Sequence, residues 1–395
     1  MFKHENATNF DDSGRSGLRA RIIQALIVLG LIFTALPSFA FQLASGVPQK
    51  PEKRAVRAND SKNANALAVV VLAGRMGYID KTGKFSINPQ FYLANEFSEG
   101  LAAVDPEYKV TVGEKGEIKP EYKWGYINTS GQYEINPQFE TAYSFSEGLA
   151  CVQFGGLWGY IDKTGKYIIN PQFIWASSFS DGLAPVETLE GWGFIDKTGR
   201  YIISPQFDDV SPFTEGLAPV KIKGRYGYID KGGKIVITPQ FDEATDFEDG
   251  LAQVKLGDKA GYIDKAGRYV INPQFYDAYN FTEGLAEVKE GGKYGYIDKT
   301  GRLVINPQFD VADSFVDGLA PVKLGDRWGY IDMKGKYVIN PQFHDAKVFF
   351  QGFAPVEIAG RYGYIDKTGK YIVNPQFDFA EQFKADVSQF KNGVK

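Results

Sequence analysis

The segment Trp158-Gly-Tyr-Ile-Asp-Lys-Thr-Gly-Lys-Tyr-Ile-Ile-Asn-Pro-Gln-Phe173 decides the fold, because it recurs in nine copies with small changes. From Trp124 onward the copies follow at intervals of 34 residues, and the first interval, from Met76, is 48 residues long. Repeats of this period indicate a solenoid, a propeller or a similar array. We therefore interpret residues 66–395 as one array, with copies that begin at Met76, Trp124, Trp158, Trp192, Tyr226, Ala260, Tyr294, Trp328 and Tyr362.

Each repeat has the composition of β-structure rather than of helices. The repeat that begins at Trp192 carries four glycines and three prolines, so helix breakers or turn signals interrupt every window of ten residues. Its β-branched and aromatic residues come in short runs, which is typical of strands. We predict three antiparallel strands, at residues 192–196, 200–203 and 217–221. A tight turn at residues 196–199 joins the first two strands. The proline of Ser204-Pro-Gln-Phe207 breaks the second strand, and a connector at residues 208–216 leads to the third.

The arrangement of the repeats follows from strands that are apolar on both faces. Such sheets must be covered on both sides, and neighbouring repeats supply that cover in a closed propeller or in an open stack. Nine units exceed the usual range of roughly four to eight propeller blades. Both ends of the array, at residues 66–75 and 386–391, also resemble the third strand. We therefore predict an all-β, open, twisted array of three-stranded meanders, with a closed β-propeller as the alternative.

The first 65 residues differ from the array. Arg15, Arg19 and Arg21 precede an apolar run at residues 22–36, and the small residues Ser38 and Ala40 match a signal-peptide cleavage site. We predict a secretory signal peptide at residues 1–40, a flexible linker at 41–65, and export to the periplasm, the cell surface or the medium. The alternative is an uncleaved membrane anchor at residues 22–36, although this run is short for a span of about 20 residues.

The motifs Trp158-Gly159, Asp162-Lys-Thr-Gly165, Pro171-Gln-Phe173 and Phe179-Ser-Asp-Gly-Leu-Ala184 resemble the WG-repeat family of bacterial proteins. The resemblance spans roughly 320 residues. Tryptophan is present at the first motif position in only four copies, so an indole is not obligatory there. The resemblance implies a β-rich interaction module, often in exported or surface proteins, and implies no particular enzyme or ligand.

The composition leaves little material for catalysis or for metal binding. The chain has two histidines, His4 and His344, and one cysteine, Cys151, from which no Cys/His metal site or Ser-His-Asp triad can be assembled. The aspartate at the position of Asp162 occurs in eight copies, which indicates a turn cap rather than a catalytic acid. We therefore predict no enzymatic activity, no cofactor and no metal. The net charge of -4 argues against a nucleic-acid partner.

The glutamine of Pro-Gln-Phe is present in all nine copies, from Gln90 to Gln376. We expect a buried or half-buried amide that bonds to the backbone of the adjacent repeat, because buried amides mostly bond to backbone groups. The alternative is a ladder of amides that faces a polymeric ligand.

Binding specificity is expected where the repeats differ. The positions after Pro-Gln-Phe vary most, Trp175 is the only tryptophan outside the motif start, and residues 105–123 carry an insertion. We predict a protein-interaction scaffold in the cell envelope, with a module that binds cell-wall carbohydrate or exopolysaccharide as the alternative. Membrane contact is expected only through an uncleaved N-terminal segment. The candidate partner-binding residues are Ile174, Trp175, Asp208, Asp209, Asp242, Tyr276 and His344.

Two phenylalanine columns, Phe91 to Phe377 and Phe97 to Phe383, run through every repeat and are predicted to form the core. We expect Phe207→Ala to lower the free energy of unfolding by about 3–5 kcal/mol, because it removes a buried ring and leaves a cavity. Thermal unfolding measures this effect, and a melting curve that matches the wild type would contradict the core assignment.

Overall fold

The computed structural model describes residues 66–107, 109–112 and 118–383. Within these ranges the chain forms nine sheets of four strands, called blades here, and one separate two-stranded hairpin. The prediction of an all-β repeat protein is therefore confirmed. The predicted signal peptide, the linker and the strand expected at residues 386–391 lie outside the described residues.

The strands follow one another in chain order, blade by blade. They are β1 (Ala68–Leu72), β2 (Arg75–Ile79) and β3 (Phe85–Phe91) in the first blade; β4 (Leu93–Ala94), β5 (Leu101–Asp105), the separate hairpin β6 (Lys109–Val112) and β7 (Ile118–Glu121), β8 (Trp124–Asn128) and β9 (Tyr133–Phe139) in the second; β10 (Thr141–Ala142), β11 (Ala150–Phe154), β12 (Leu157–Ile161) and β13 (Tyr167–Phe173) in the third; β14 (Trp175–Ala176), β15 (Ala184–Thr188), β16 (Gly191–Ile195) and β17 (Tyr201–Phe207) in the fourth; β18 (Asp209–Val210), β19 (Leu217–Ile222), β20 (Arg225–Asp230) and β21 (Ile235–Phe241) in the fifth. The later blades contain β22 (Glu243–Ala244), β23 (Leu251–Leu256), β24 (Lys259–Asp264) and β25 (Tyr269–Phe275); β26 (Asp277–Ala278), β27 (Leu285–Glu290), β28 (Lys293–Asp298) and β29 (Leu303–Phe309); β30 (Val311–Ala312), β31 (Leu319–Leu324), β32 (Arg327–Asp332) and β33 (Tyr337–Phe343); β34 (Asp345–Ala346), β35 (Phe353–Ile358), β36 (Arg361–Asp366) and β37 (Tyr371–Phe377); and last β38 (Phe379–Ala380).

Each blade has four strands rather than the predicted three. The segment predicted to be a connector contains a two-residue strand, such as β18, which pairs with β19 through Asp209↔Lys221 and Val210↔Val220. Two residues carry no readable period, so the sequence pattern missed this strand. The predicted break at Pro205 is also wrong, because β17 continues through it with a bulge. An edge strand tolerates proline, since the missing N–H has no partner to lose.

The array is closed, so the prediction of an open array is wrong. β38 pairs with β1 through Val70↔Ala380 and Val71↔Phe379, and the first blade therefore combines three strands from the start of the array with one from its end. Within this blade β1 takes the second position and β38 takes the first. The fold is a nine-bladed β-propeller, which was the alternative considered above.

The hydrophobic core lies between neighbouring blades. Ile169 and Phe173 of the third blade pack with Phe179 and Val186 of the fourth. At the closure of the ring, a corresponding cluster joins residues of β1 and β2 to residues of β36 and β37. Both phenylalanine columns are buried along their whole length, including Phe207, which is 4% exposed. Their assignment to the core is confirmed.

The glycine of the Trp-Gly pair is required by a close backbone approach. A Cβ atom added at Gly193 would lie 2.6 Å from the carbonyl oxygen of Ile203 and 2.7 Å from the nitrogen of Pro205. The same crowding occurs at the equivalent glycine of all nine blades. A side chain at this position would therefore displace the bulge that carries Asn-Pro-Gln in the fourth strand.

A buried tyrosine ties each blade to the next. The hydroxyl of Tyr228 donates to the carbonyl oxygen of Thr245 in the following blade at 2.8 Å. Burial raises the pKa of Tyr228, so the hydroxyl keeps its proton. Equivalent bonds of 2.6–2.8 Å are made by Tyr78, Tyr126, Tyr160, Tyr262, Tyr296, Tyr330 and Tyr364. In the fourth blade this position holds Phe194, which has no hydroxyl.

We expect Tyr228→Phe to lower the free energy of unfolding by about 1–3 kcal/mol, because a buried carbonyl loses its donor. The reverse change, Phe194→Tyr, adds a hydroxyl where eight other blades have one and should raise stability by about 0.5–1.5 kcal/mol. Urea unfolding of both variants measures these effects. Two unchanged curves would mean that the inter-blade bond contributes nothing to stability.

Candidate functional site

The ring has two faces, which are distinguished by their turns. Neighbouring strands of a blade run antiparallel, so consecutive turns alternate between the faces. The Asp-Lys-Thr-Gly turns between third and fourth strands, such as 196–200, lie on one face, which we call the lysine face. The turns between first and second strands, such as 180–183, lie there too. The turns between second and third strands, such as 188–191, lie on the opposite face, which we call the hairpin face.

The repeated aspartates of the lysine face are turn caps, as expected. The Oδ1 atom of Asp298 accepts hydrogen bonds from the backbone and the hydroxyl of Thr300, at 2.9 and 2.5 Å, and from the backbone of Arg302 at 3.2 Å. The bond from the Thr300 side chain is the main cause that lowers the pKa of Asp298. The carboxylate is thus held ionised, which suits a cap and not a general acid.

The glutamines of Pro-Gln-Phe are exposed, so the expectation of a buried amide is wrong. Gln172 donates from Nε2 to the carbonyl oxygen of Asn170, in its own strand, at 3.2 Å. Gln138, Gln206, Gln308 and Gln342 make the equivalent bond at 3.2–3.3 Å. The amide bonds to its own backbone because it lies at the bulge of an edge strand, away from the next blade.

The predicted partner-binding residues lie on the hairpin face, at the point where the chain passes from one blade to the next. The residue after Pro-Gln-Phe contacts the turn between the second and third strands of the following blade. Its side chain accepts a backbone N–H there, at Asp208 from Gly224 (3.2 Å), at Asp242 from Gly257 (2.7 Å) and at His344 from Ala359 (3.3 Å). These three side chains therefore have a structural role in addition to any role in binding.

The remaining polar and aromatic candidates are also held by internal contacts. Asp209 accepts a hydrogen bond from the hydroxyl of Tyr226. Tyr276 is 55% exposed, and the ammonium of Lys259 lies 3.4 Å from the centroid of its ring. Because these candidates follow the ring from the fifth to the ninth blade, the structure does not bring them into one cluster.

Ile174 and Trp175, by contrast, belong to an exposed apolar cluster on the third and fourth blades. Leu157 and Ile174 occupy the positions that form the ion pairs Arg225–Asp242 and Lys293–Asp310 in later blades, so they are neighbours. Phe154 pairs with Leu157 across the turn, and Ile174 bonds to the backbone of β15 near Leu189. We call this set, Phe154, Leu157, Ile174, Trp175 and Leu189, the apolar patch.

The apolar patch combines exposed side chains with a rigid base. Phe154, Leu157, Ile174 and Leu189 are exposed by 52%, 40%, 42% and 96%. The half-buried Trp175 lies with its ring centroid 5.2 Å from that of Trp158, which itself stacks on Tyr143 at 5.1 Å. Aromatic contacts of this kind fix the position of the indole.

Phe154, Leu157 and Leu189 are not among the residues predicted from the sequence. A signal for them exists in the turns between second and third strands, which vary as much as the positions after Pro-Gln-Phe. These turns carry a lysine or an arginine in the fifth to ninth blades, at Lys223, Arg225, Lys259, Lys293, Arg327 and Arg361. They are Phe154-Gly-Gly-Leu157 in the third blade and Thr188-Leu-Glu-Gly191 in the fourth, where Glu190 is the one charged residue.

The insertion between Asp105 and Lys123 also lies on the hairpin face, because it joins the second and third strands of the second blade. It contains the hairpin β6–β7, whose residues Val110 and Val112 are exposed by 45% and 68%. Its base is fixed by the buried Asp105, whose carboxylate accepts the backbone N–H groups of Glu107 and Lys123 at 3.2 Å. Burial raises the pKa of Asp105. The insertion belongs to the second blade, which is next to the third blade, and the third blade carries part of the apolar patch.

The motif tryptophans are packed rather than presented to solvent. Trp124 and Trp158 are buried, and Trp192 and Trp328 are half-buried. Among the residues that the structure describes, no three His, Cys, Asp or Glu side chains come together as a metal site. No helix in these same ranges is long and apolar enough to cross a membrane.

Comparisons with known proteins identify the repeats. The profile of the family described as "WG containing repeat" matches nine consecutive segments, at residues 76–105, 124–158, 158–189, 192–226, 226–259, 261–294, 294–328, 328–362 and 362–394. No curated protein matches the chain.

Solved structures resemble the chain in fold. A crystal structure of a eukaryotic initiation factor is 12% identical, covers 80% of this chain and 98% of its own, and superposes with a TM-score of 0.55. Two more distant likenesses have TM-scores of 0.45 and 0.29. The first, dihydro-heme d1 dehydrogenase NirN, is 11% identical and covers 83% of this chain and 76% of its own. The second, an extracellular domain of a putative hybrid two-component system of B. thetaiotaomicron, is 11% identical and covers 79% and 57%. At 12% identity the likeness to the initiation factor concerns the fold alone.

We expect Asp242→Ala to lower the free energy of unfolding by about 0.5–1.5 kcal/mol, because the turn at Gly257 loses its cap and Arg225 loses its ion pair, both at the exposed surface. Tyr276→Ala, at the same position of the next repeat, should change stability by less than about 0.5 kcal/mol. Urea unfolding separates the two roles. Equal losses would contradict the assignment of Asp242 as the cap of the turn at Gly257.

Proposed function

The chain belongs to the WG-repeat family, and from this premise we propose that it is a non-enzymatic, exported scaffold that binds a protein partner in the cell envelope. The observation that carries the proposal is the apolar patch, which lies on the face of the ring that also bears the insertion. Insertions in repeat proteins map to loops on one face, and that face is often the one that binds.

The composition of the patch favours a protein partner. Exposed clusters of large apolar side chains on soluble proteins mark interaction sites, since water solvates them poorly. Interfaces of this kind are anchored by aromatic residues in fixed positions, with tryptophan among the most enriched. Trp175, held against Trp158, meets that description, while Phe154, Leu157, Ile174 and Leu189 supply apolar area around it.

The charged remainder of the hairpin face suits the rim of such an interface. Lys223, Arg225 and Asp242 lie on the fifth and sixth blades, next to the blades of the patch. Rim charges steer a partner and suppress wrong ones more than they add affinity. A polysaccharide partner is less well supported, because the motif tryptophans that would stack on sugars are packed into the blades.

Export rests on the sequence of the first 40 residues. Arginines before an apolar run and small residues at Ser38 and Ala40 are the features of a cleaved secretory signal. Cleavage would release the array as a free protein of the envelope, whereas an uncleaved segment at residues 22–36 would anchor it. N-terminal sequencing of the protein purified from its own host distinguishes these states.

We expect the mature protein, immobilised and exposed to a solubilised envelope extract of its host, to retain a specific protein through the apolar patch. Ile174→Asp combined with Leu189→Asp places two charges in the patch and should reduce retention at least about tenfold, since burying an unpaired charge in an interface is costly. Both side chains are exposed, so folding should be preserved, and the melting temperature checks this.

The matched control is Leu256→Asp combined with Leu324→Asp. These leucines are 47% exposed on the same face, in the sixth and eighth blades, and lie outside the patch. The control should retain the partner as the wild type does. Equal retention by all three proteins would reject the patch as the binding site, and retention of polysaccharide alone would favour the carbohydrate-binding alternative.

A further inference from the structure

The second strand of the fourth blade places a carboxylate between two indoles. Glu187 of β15 lies directly opposite Trp175 of β14 and Trp192 of β16. Residues directly opposite one another share one face of a sheet, with Cβ atoms about 4.5–5.5 Å apart. All three side chains are half-buried. Leu189 of the apolar patch follows two residues after Glu187, so the carboxylate borders that patch.

In six other blades the side chain at the position of Glu187 has an internal partner. The partner is a backbone group, a carboxylate or an aromatic ring, and the six side chains are Asp105, Gln153, Lys221, Lys255, Lys289 and Glu357. The carboxylate of Glu187 makes no hydrogen bond or ion pair with the residues that the structure describes. The fourth blade therefore leaves this carboxylate available to a group from outside the chain.

Two of the lysines show what this position can hold. In the fifth blade the ammonium of Lys221 lies 5.3 Å from the ring centroid of Tyr226, the residue equivalent to Trp192. In the seventh blade the ammonium of Lys289 lies 5.1 Å from the ring centroid of Tyr294. A cation over the ring of the third strand is thus a contact that this fold already makes, and indole binds cations better than phenol does. The fourth blade has the indole but no lysine of its own.

The surface around the apolar patch is acidic. Lys163 and Lys166 are the only basic residues between positions 141 and 191, and both belong to a turn on the lysine face. The hairpin face of the third and fourth blades therefore carries Glu187 and Glu190 but no lysine or arginine from this stretch. The turns of the fifth to ninth blades on the same face each carry a basic residue. A partner that docks on the patch thus meets negative charge beside apolar area.

We propose that the protein partner seated on the apolar patch inserts a lysine or arginine side chain between Trp175 and Trp192, against the carboxylate of Glu187. This binding mode depends on the scaffold function proposed above and specifies the partner's chemistry, which is a basic side chain next to large apolar ones. Burial and the nearby Asp209 raise the pKa of Glu187, and a bound cation would offset both effects by stabilising the charged form. Opposite charges across an interface select the partner and its orientation.

The probe is a phage-displayed library of random dodecapeptides, selected on the immobilised mature protein. We expect the enriched peptides to combine large apolar residues with a lysine or an arginine. A synthetic peptide of this set should bind Glu187→Gln about tenfold more weakly than the wild type, because its cation loses a charged partner. Isothermal titration calorimetry measures both affinities.

Glu187→Lys supplies the cation from the protein itself and should weaken binding of the same peptide by about a hundredfold. The fold should tolerate this change, because lysine stands at the equivalent position in four other blades. The melting temperature checks this. The matched control is Glu243→Lys, which makes the same charge change in the sixth blade, at a side chain that is 66% exposed and lies outside the patch. The control should bind the peptide as the wild type does.

The inserted cation is rejected if the enriched peptides lack a basic residue or bind Glu187→Lys as tightly as the wild type. If such peptides still lose binding in the double variant Ile174→Asp with Leu189→Asp, the scaffold proposal stands without the cation. A selection that enriches no peptide, or only peptides that bind this double variant as tightly as the wild type, would reject the patch as a docking surface and the cation with it.

Discussion

The structure depends on the need to cover sheets that are apolar on both faces. No blade can bury its own side chains, because the ring of Phe173 and the ring of Phe179 both belong to contacts between blades. An array of such sheets leaves two uncovered faces unless its ends meet. The pairing of β1 with β38 removes both ends at once, and the cluster of Val70, Ile79 and Phe377 buries the surfaces that an open array would expose.

The features that repeat through the blades are accounted for by this construction. The glycine of Trp-Gly makes room for the bulge of the fourth strand, the buried tyrosine donates to the next blade, and the aspartate caps its turn. A residue explained by the fold in every blade is a poor candidate for specific recognition. The departures from the repeat are therefore more informative, and they include the apolar patch of the third and fourth blades and the insertion of the second.

The departures from the repeat lie on different faces of the ring. The hairpin face bears the apolar patch and the inserted hairpin. The lysine face bears lysine–carboxylate ion pairs at five junctions, and Thr129 and Met333 replace the lysine at two others. The division arises from strand direction, since antiparallel neighbours send alternate turns to opposite faces.

The sequence by itself determined the repeat, its period, its β character, its phenylalanine core and its turn caps, because each of these is written in local composition and spacing. It did not determine the fourth strand of each blade, since two residues such as Asp209 and Val210 carry no period. It also did not determine closure, which depends on whether the summed rotation between nine blades completes a circle, and no single repeat encodes that sum. Among the candidate residues, Ile174 and Trp175 are predicted from the variability of their positions. Phe154, Leu157 and Leu189 join them only because strand pairing brings the turns of the third and fourth blades beside the segment that connects these two blades. The tertiary structure alone decided that grouping, because the residues are separated by up to 35 positions in the chain and meet only through the register of β11, β12, β13 and β15.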